Sequence, residues 1–122
     1  MKRNLDLIRD ILLICEEDNS LRLTCDNFAC DGKYSFEQIS YHIALLSDAN
    51  YIDASRIAIM GNLYDDYIVH RLTMRGHDYL DSIRDESIWN QTKAKLGNHL
   101  SSATLSVISE VASSILKTMI GI

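Results

Sequence analysis

Two extended segments joined by a short polar turn lie within an otherwise helical pattern, and this feature limits the possible folds most strongly. Residues 51–60 and 67–72 are rich in β-branched and aromatic side chains, and Gly61-Asn62 opens the turn between them. The pattern predicts a β-hairpin.

Helical periodicity is found on both sides of this hairpin. Apolar residues at three- and four-residue spacing predict five helices, at about residues 5–15, 35–50, 74–84, 89–96 and 101–122. Residues 21–25 alternate between apolar and polar side chains, which predicts a short extended strand before the second helix. The predicted fold class is therefore mainly α with a small β-hairpin, an α+β fold.

Polar residues mark the ends of the predicted helices. Ser35, with Gln38 three residues later, fits a capping box at the start of the second helix. Asn50 can end that helix because asparagine tolerates a left-handed backbone, and Thr73 is expected to cap the third helix.

The length and the distribution of charge indicate one compact domain with two parts. A chain of 122 residues is long enough for one core. Residues 1–88 carry nine Lys and Arg against sixteen Asp and Glu, a net charge of −7, whereas residues 89–122 carry three against one, a net charge of +2. We expect a body over residues 1–88 and a C-terminal helical extension over residues 89–122, which packs on the body or forms a dimer interface.

The cysteines and the first apolar stretch indicate a cytoplasmic protein. Cys15, Cys25 and Cys30 are odd in number and lack a second pair at zinc-binding spacing, so neither a disulfide framework nor a zinc site is predicted. Asp6 and Arg9 interrupt the first apolar stretch, which excludes a signal peptide there. No apolar run reaches the roughly 18 residues that span a bilayer. We predict no cofactor and no membrane association.

The order helix, extended segment, helix, hairpin is that of a winged helix, in which the helix before the hairpin usually reads DNA and the hairpin is the wing. The segments MKRNLDLIRDILL, YHIALLSDANYI, HRLTMRGHDYLDSIRDESIWN and ISEVASSILKTMIGI resemble a family of short, uncharacterised bacterial and phage proteins, a winged-helix-like domain of unknown function. The RLTxxGHxYLDxIR run is the most specific part of this resemblance. It implies a winged-helix-like body and a prophage-like setting, and it supplies no catalytic residues.

The outward face of the second helix favours contact with protein over contact with DNA. A DNA-reading helix needs basic or amide side chains for phosphates and base edges. This face instead carries two acidic residues, one amide, an aromatic ring and a leucine, namely Glu37, Gln38, Tyr41, Leu45 and Asp48. We predict that these five residues form a surface for a protein partner. The alternative is that another helix of the chain covers Tyr41 and Leu45.

A DNA-binding regulator is the competing interpretation. In a dimer, the candidate phosphate contacts are Arg56 and Arg71 on the wing and Lys93 and Lys95 on the fourth helix. Because the body is acidic, and affinity for duplex DNA depends on neutralised phosphates, charge disfavours this interpretation.

The last helix carries a wide apolar stripe. Leu105, Ile108, Ala112, Ile115 and Met119 recur at three- and four-residue spacing. The stripe can pack on the body, or it can pair with its copy in a homodimer. The single lysine on its polar face disfavours binding to a membrane surface.

No catalytic or metal site is predicted. His77 and Asp81 are one helical turn apart, but without a second cluster they indicate a surface pair joined by Arg84. His42 flanks the apolar stripe of its helix and is expected to be half-buried packing. The sequence therefore predicts a non-enzymatic adaptor or modulator, of prophage or bacterial type, that acts by protein contact and associates with itself.

Overall fold

The computed structural model describes residues 1–121 and confirms the α+β class. Five α-helices and one two-stranded antiparallel sheet make up this part of the chain. In chain order they are α1 (Leu5–Glu17), α2 (Phe36–Asp48), β1 (Ile52–Ile57), β2 (Asp66–Leu72), α3 (Met74–Ile83), α4 (Glu86–Leu96) and α5 (Leu105–Met119). Two 3₁₀ turns, Cys25–Phe28 and Gly97–Ser102, precede α2 and α5.

The predicted ends of α2 are confirmed in atomic detail. The amide of Gln38 donates to Ser35 Oγ at 3.2 Å, and Gln38 Oε1 accepts from the Ser35 amide at 3.2 Å, which completes the capping box. Asn50 has φ = 63°, the left-handed backbone expected at the end of a helix. Local side-chain chemistry therefore sets both limits of α2.

Two of the three extended segments are shorter than the sequence pattern predicts, whereas β2 begins one residue earlier than expected. In the hairpin, Ile52 pairs with Leu72 and Ile57 pairs with Asp66, so β1 ends three residues before the predicted limit. The strand predicted at residues 21–25 is reduced to a single bridge between Leu23 and Val69. Leu21 has φ = 61°, which is incompatible with a continuous strand at the start of this segment.

The last two helices begin at caps that periodicity did not identify. Asp85 accepts from the Ile88 amide at 2.9 Å, so α4 begins before Trp89. Thr104 accepts from the Val107 amide at 3.1 Å, so α5 begins four residues later than predicted. Of the predicted range 101–122, Ile122 lies outside the described residues.

The extension packs on the body through both α4 and α5. Ile108, Ala112 and Ile115 of α5 are buried, and α5 contacts α3 and α4. On α4, Trp89 Nε1 donates to the Asp6 carboxylate at 2.9 Å. The extension and the body therefore share one core, which is the intrachain alternative considered above.

A tight corner joins α2, β1 and α3. Thr73 Oγ1 donates to the Asn50 carbonyl at 2.5 Å and accepts from the Gly76 amide at 3.1 Å. A Cβ atom at Gly76 would lie 2.0 Å from the Tyr51 carbonyl oxygen, so only glycine allows α3 to approach so closely. The threonine and the glycine of the RLTxxGH run therefore have a structural explanation in this chain.

Candidate functional site

The outer face of α2 is acidic and only partly open. Glu37 and Asp48 are exposed, whereas Tyr41 and Leu45 are half-buried. Gln38 is half-buried as well and is engaged in the helix cap. The five predicted partner residues thus share one face, on which Tyr41 and Leu45 are less exposed than a free surface would leave them.

The four candidate phosphate contacts do not form one basic surface. Arg56 lies 3.4 Å from the Asp65 carboxylate, and Arg71 lies 3.6 Å from that of Asp53. On α4, the Lys93 ammonium donates to the Asp6 carboxylate at 2.9 Å. Lys95 is exposed and borders a depression between α4 and α5. Three of the four cations therefore already face a carboxylate.

The tip of the hairpin presents apolar side chains to solvent. Met60 is 100% exposed and Leu63 is 91% exposed, on either side of Gly61. Ile57 and Ile59 are exposed as well. Sequence analysis missed this feature, although two large apolar residues within a polar turn were a visible signal.

A groove of about 290 Å³ lies between the C-terminal end of α2 and the start of α5. Its apolar walls include Leu45, Tyr51 and Leu105, and its charged side chains are Arg3 and Arg75. A second depression of about 340 Å³ adjoins it and shares Tyr51, Arg75, Leu105 and Ser106. Four separate segments of the chain supply these residues, and sequence analysis did not identify the site.

The adjoining depression also includes Tyr79, a buried tyrosine with an unpaired hydroxyl. Tyr79 is 3% exposed, and its Oη is the one buried side-chain nitrogen or oxygen atom without a hydrogen-bond partner among residues 1–121. Burial and the nearby Tyr51 raise the pKa of this hydroxyl, while Arg3 lowers it. The group therefore remains a protonated donor at neutral pH.

His77 and Asp81 lie on the surface beside Arg84 and Glu16, and His77 contacts Glu16 instead of the expected Asp81. Arg84 binds both Glu16 and Asp81, and His77 Nδ1 lies 4.0 Å from Glu16 Oε2. The hydrogen bond from Arg84 lowers the pKa of Glu16. Within residues 1–121, no group of three or more His, Cys, Asp or Glu is arranged to hold a metal ion.

His42 is fully buried, rather than half-buried, because it connects α1 to α2. Its Nε2 accepts from the Asn4 amide at 2.7 Å, and its Nδ1 lies 2.7 Å from the Gln38 carbonyl oxygen. The neutral ring with its proton on Nδ1 satisfies both contacts. Burial lowers the pKa of His42 and outweighs the opposite effect of the Gln38 carbonyl.

The predicted self-association stripe of α5 is divided between the core and the surface. Ile108, Ala112 and Ile115 are covered by the same chain, whereas Leu105 borders the groove and is half-buried. Met119 is exposed. In this arrangement the three central residues are not available to a second copy.

The cysteines are free, and two of them are protected by burial. Burial raises the pKa of Cys15 and of Cys25 to about 12, with Asp18 and Asp66 as smaller causes.

Within residues 1–121, no helix has the length and apolar character needed to cross a membrane.

These features define a small α+β domain of mainly helical type. The chain belongs to the family described as "Hypothetical protein (DUF2513)", which it matches over residues 2–102. It is 35% identical over 122 residues to a protein of Haemophilus influenzae described as "Uncharacterized protein", and the match covers 98% of this chain and 99% of that relative. No solved structure matches the chain significantly. The resemblance to a domain of unknown function is confirmed, and the family match ends just before α5.

Proposed function

We propose that this protein is a non-enzymatic, winged-helix-like adaptor or modulator that acts by protein contact, in a bacterial or prophage setting and in the cytoplasm. The observation that carries the proposal is the charge of α2. In a winged helix this element meets the ligand, and here its outer face exposes Glu37 and Asp48 and carries no Lys or Arg. Such a face repels phosphates and suits a protein partner.

The order of elements supports the winged-helix part of the proposal. A helix, a bridged segment, a second helix and a hairpin follow one another, and the Leu23–Val69 bridge lies where a winged helix has its first short strand. The free thiols support a reducing compartment.

The hairpin tip supports a protein partner independently of α2. Met60 and Leu63 would lose solvent-exposed apolar surface in a complex, and methionine is enriched in protein interfaces. The tip and the α2 face thus supply an apolar and an acidic element for recognition of a partner. The partner that fits them combines an apolar pocket with basic side chains.

We also propose self-association through the exposed end of α5. Leu116, Met119 and Ile120 remain exposed beyond the buried part of the stripe. Light scattering tests this: the wild-type chain should form a dimer, and Met119→Glu should shift it to a monomer. A wild-type protein that is monomeric at all concentrations would remove this part of the proposal.

A pull-down with matched charge variants tests the adaptor function. The Glu37→Lys/Asp48→Lys double variant reverses the charge of the α2 face, whereas Glu110→Lys changes an exposed position on α5. We expect a specific protein to be captured from a bacterial lysate by the wild type and by Glu110→Lys, and to be lost with the double variant. Equal capture by all three proteins, or no capture, would contradict the assignment of α2.

A salt series with duplex DNA tests the competing function. A DNA-binding regulator should bind DNA at low salt, weaken steeply toward physiological salt and respond to Arg56→Ala and Arg71→Ala. We expect no binding even at low salt, because both arginines face carboxylates. Steep, arginine-dependent binding would overturn the adaptor proposal in favour of a regulator.

A further inference from the structure

The groove combines apolar walls with an excess of positive charge, although the body of the protein is acidic. Its lining carries two arginines and no carboxylate. Arg3 is held in place because its Nη2 donates to the carbonyls of Ser101 and Ala103, at 3.2 and 3.3 Å. The Arg75 guanidinium lies 4.7 Å from the centre of the Tyr51 ring and forms no ion pair among the described residues. Arg75 is thus free to bind an anion from solution.

The first turn of α5 adds to this positive potential. Thr104, Leu105 and Ser106 line the groove, and the amides at the start of a helix carry partial positive charge. The helix end alone would not indicate a site. Here it lies beside two guanidinium groups on separate segments of the chain.

Tyr79 is the second, independent indication of a ligand. A buried hydroxyl without a partner destabilises a fold, because it loses its hydrogen bonds to water. Tyr79 borders the adjoining depression next to Arg75, and its hydroxyl has no exposed surface. Arg75 and Tyr79 line the same depression, and the Arg75 side chain is exposed. The Tyr79 hydroxyl is a donor for an oxygen acceptor on a ligand that enters this depression.

The net charge of the groove and the adjoining depression, taken together, indicates the charge of the ligand. The adjoining depression includes Asp78, so that Arg3, Arg75 and Asp78 together give a net charge of +1. A monoanion matches this value, whereas a phosphate monoester carries about −1.5 to −2 at neutral pH. The volume of about 290 Å³ falls near the lower end of the range for small-molecule sites.

We propose that this groove binds a small monocarboxylate with an apolar body, such as a medium-chain fatty acid or an aromatic carboxylic acid. The carboxylate lies between Arg75, Arg3 and the Tyr79 hydroxyl, and the apolar body packs on Leu45, Tyr51 and Leu105. This site shares Leu45 with the proposed surface for a protein partner, but ligand binding in the groove does not depend on that partner.

The experiment is a titration of the ¹⁵N-labelled full chain with octanoate, followed by NMR. Octanol provides the uncharged control of the same length, and octyl phosphate provides a more highly charged one. We expect octanoate to shift the amides of Leu45, Leu105 and Ser106 in a saturable manner and to bind about tenfold more tightly than octanol. Octanoate should also bind more tightly than octyl phosphate.

Two tyrosine variants locate the carboxylate. Tyr79→Phe removes only the unpaired hydroxyl and should fold, and we expect it to weaken octanoate about tenfold without changing octanol. Tyr64→Phe removes a hydroxyl in the loop of the hairpin, outside both depressions, and should bind octanoate as the wild type does. Several results would overturn the proposal. These are shifts at another surface, equal affinities for octanoate and octanol, or tighter binding of octyl phosphate. Octanoate affinity that is unchanged in Tyr79→Phe, or no octanoate binding up to about 5 mM, would overturn it as well.

Discussion

Gly76 and Tyr79 lie three residues apart on α3, but their surroundings are opposite in character. At Gly76 the helix touches the backbone of Tyr51 so closely that not even a methyl group fits. At Tyr79 a hydroxyl is buried beside open grooves without a hydrogen-bond partner. The first position is optimised for packing, whereas the second gives up a hydrogen bond. The same helix thus carries one position that stabilises the fold and one that takes part in the proposed binding site.

Breaking the close contact should have the largest effect on stability. Glycine-to-alanine changes inside helices usually stabilise by roughly 0.5–1 kcal/mol. For Gly76→Ala we expect the reverse, a loss of about 3 kcal/mol or more, because the new methyl group would overlap the Tyr51 carbonyl. Urea unfolding measures this effect, with Asp78→Ala on the exposed face of α3 as the control. A neutral Gly76→Ala would show that the corner can relax.

His42, like Tyr79, is a buried polar side chain, but its ring nitrogens have hydrogen-bond partners. We expect His42→Gln to destabilise the protein by about 2 kcal/mol at pH 7, because the Asn4 amide loses a well-placed acceptor.

The same residue predicts a dependence of stability on pH. Burial lowers the pKa of His42 in the folded state below its ordinary value of 6.5. Its stabilising contribution is therefore complete above pH 6.5 and is lost as the pH falls below it, by at most about 1.4 kcal/mol per pH unit. We expect the wild type and the exposed-site control His99→Gln to lose stability between pH 7 and 5.5. His42→Gln should lose much less, and an equal slope for all three would contradict this role.

Removing the unpaired Tyr79 hydroxyl should change the free energy of unfolding in the opposite direction, toward greater stability. We expect Tyr79→Phe to raise the free energy of unfolding by about 1 kcal/mol, since an unsatisfied buried hydroxyl is removed without loss of packing. Tyr34→Phe is the matched control. The Tyr34 hydroxyl donates to Asp10 at 2.7 Å, so its removal should destabilise the protein. Destabilisation by Tyr79→Phe would mean that the hydroxyl is satisfied in solution.

The smallest effect is expected where α3 ends, at the Arg84–Glu16 pair. Both side chains are partly exposed, so Glu16→Gln should cost about 0.5–1 kcal/mol at pH 7. Because the pKa of Glu16 is lowered in the folded state, its contribution is present above the ordinary value of 4.5 and is lost as the pH falls through the folded value. The difference between wild type and variant in thermal unfolding should therefore shrink toward pH 3. A difference that persists there would point to packing instead of charge.

Features that depend on neighbouring residues were predictable from the sequence. Ser35 and Gln38 form the expected capping box, and Asn50 adopts the expected left-handed backbone, because both are decided within a few residues. The wide stripe of α5 correctly indicated burial, but periodicity alone does not say which chain covers it. The starts of α4 and α5 were missed because Asp85 and Thr104 were not recognised as caps.

The candidate sites depend on contacts between distant residues, which no local pattern contains. The groove brings Arg3, Leu45, Arg75 and Leu105 together from four segments of the chain. Likewise, the Asn4 amide that donates to the buried His42 ring comes from a distant part of the sequence. The acidic character of α2 follows directly from the sequence, whereas the ion pairs of Arg56 and Arg71 do not. These ion pairs depend on the register of the hairpin and on the conformation of its loop.

The polar contacts of α1 have a consequence for the order in which the chain can fold during its synthesis. Arg9 donates hydrogen bonds to the carbonyls of Ile83 and Arg84, and Asp6 accepts hydrogen bonds from Trp89 and Lys93. The partners of α1 therefore emerge from the ribosome about 75 to 90 residues later. At roughly 5–20 residues per second, the polar side chains of α1 wait several seconds for these partners in α3 and α4 to be made. Although α1 precedes the other four helices described above, it is thus among the last of them to complete its contacts.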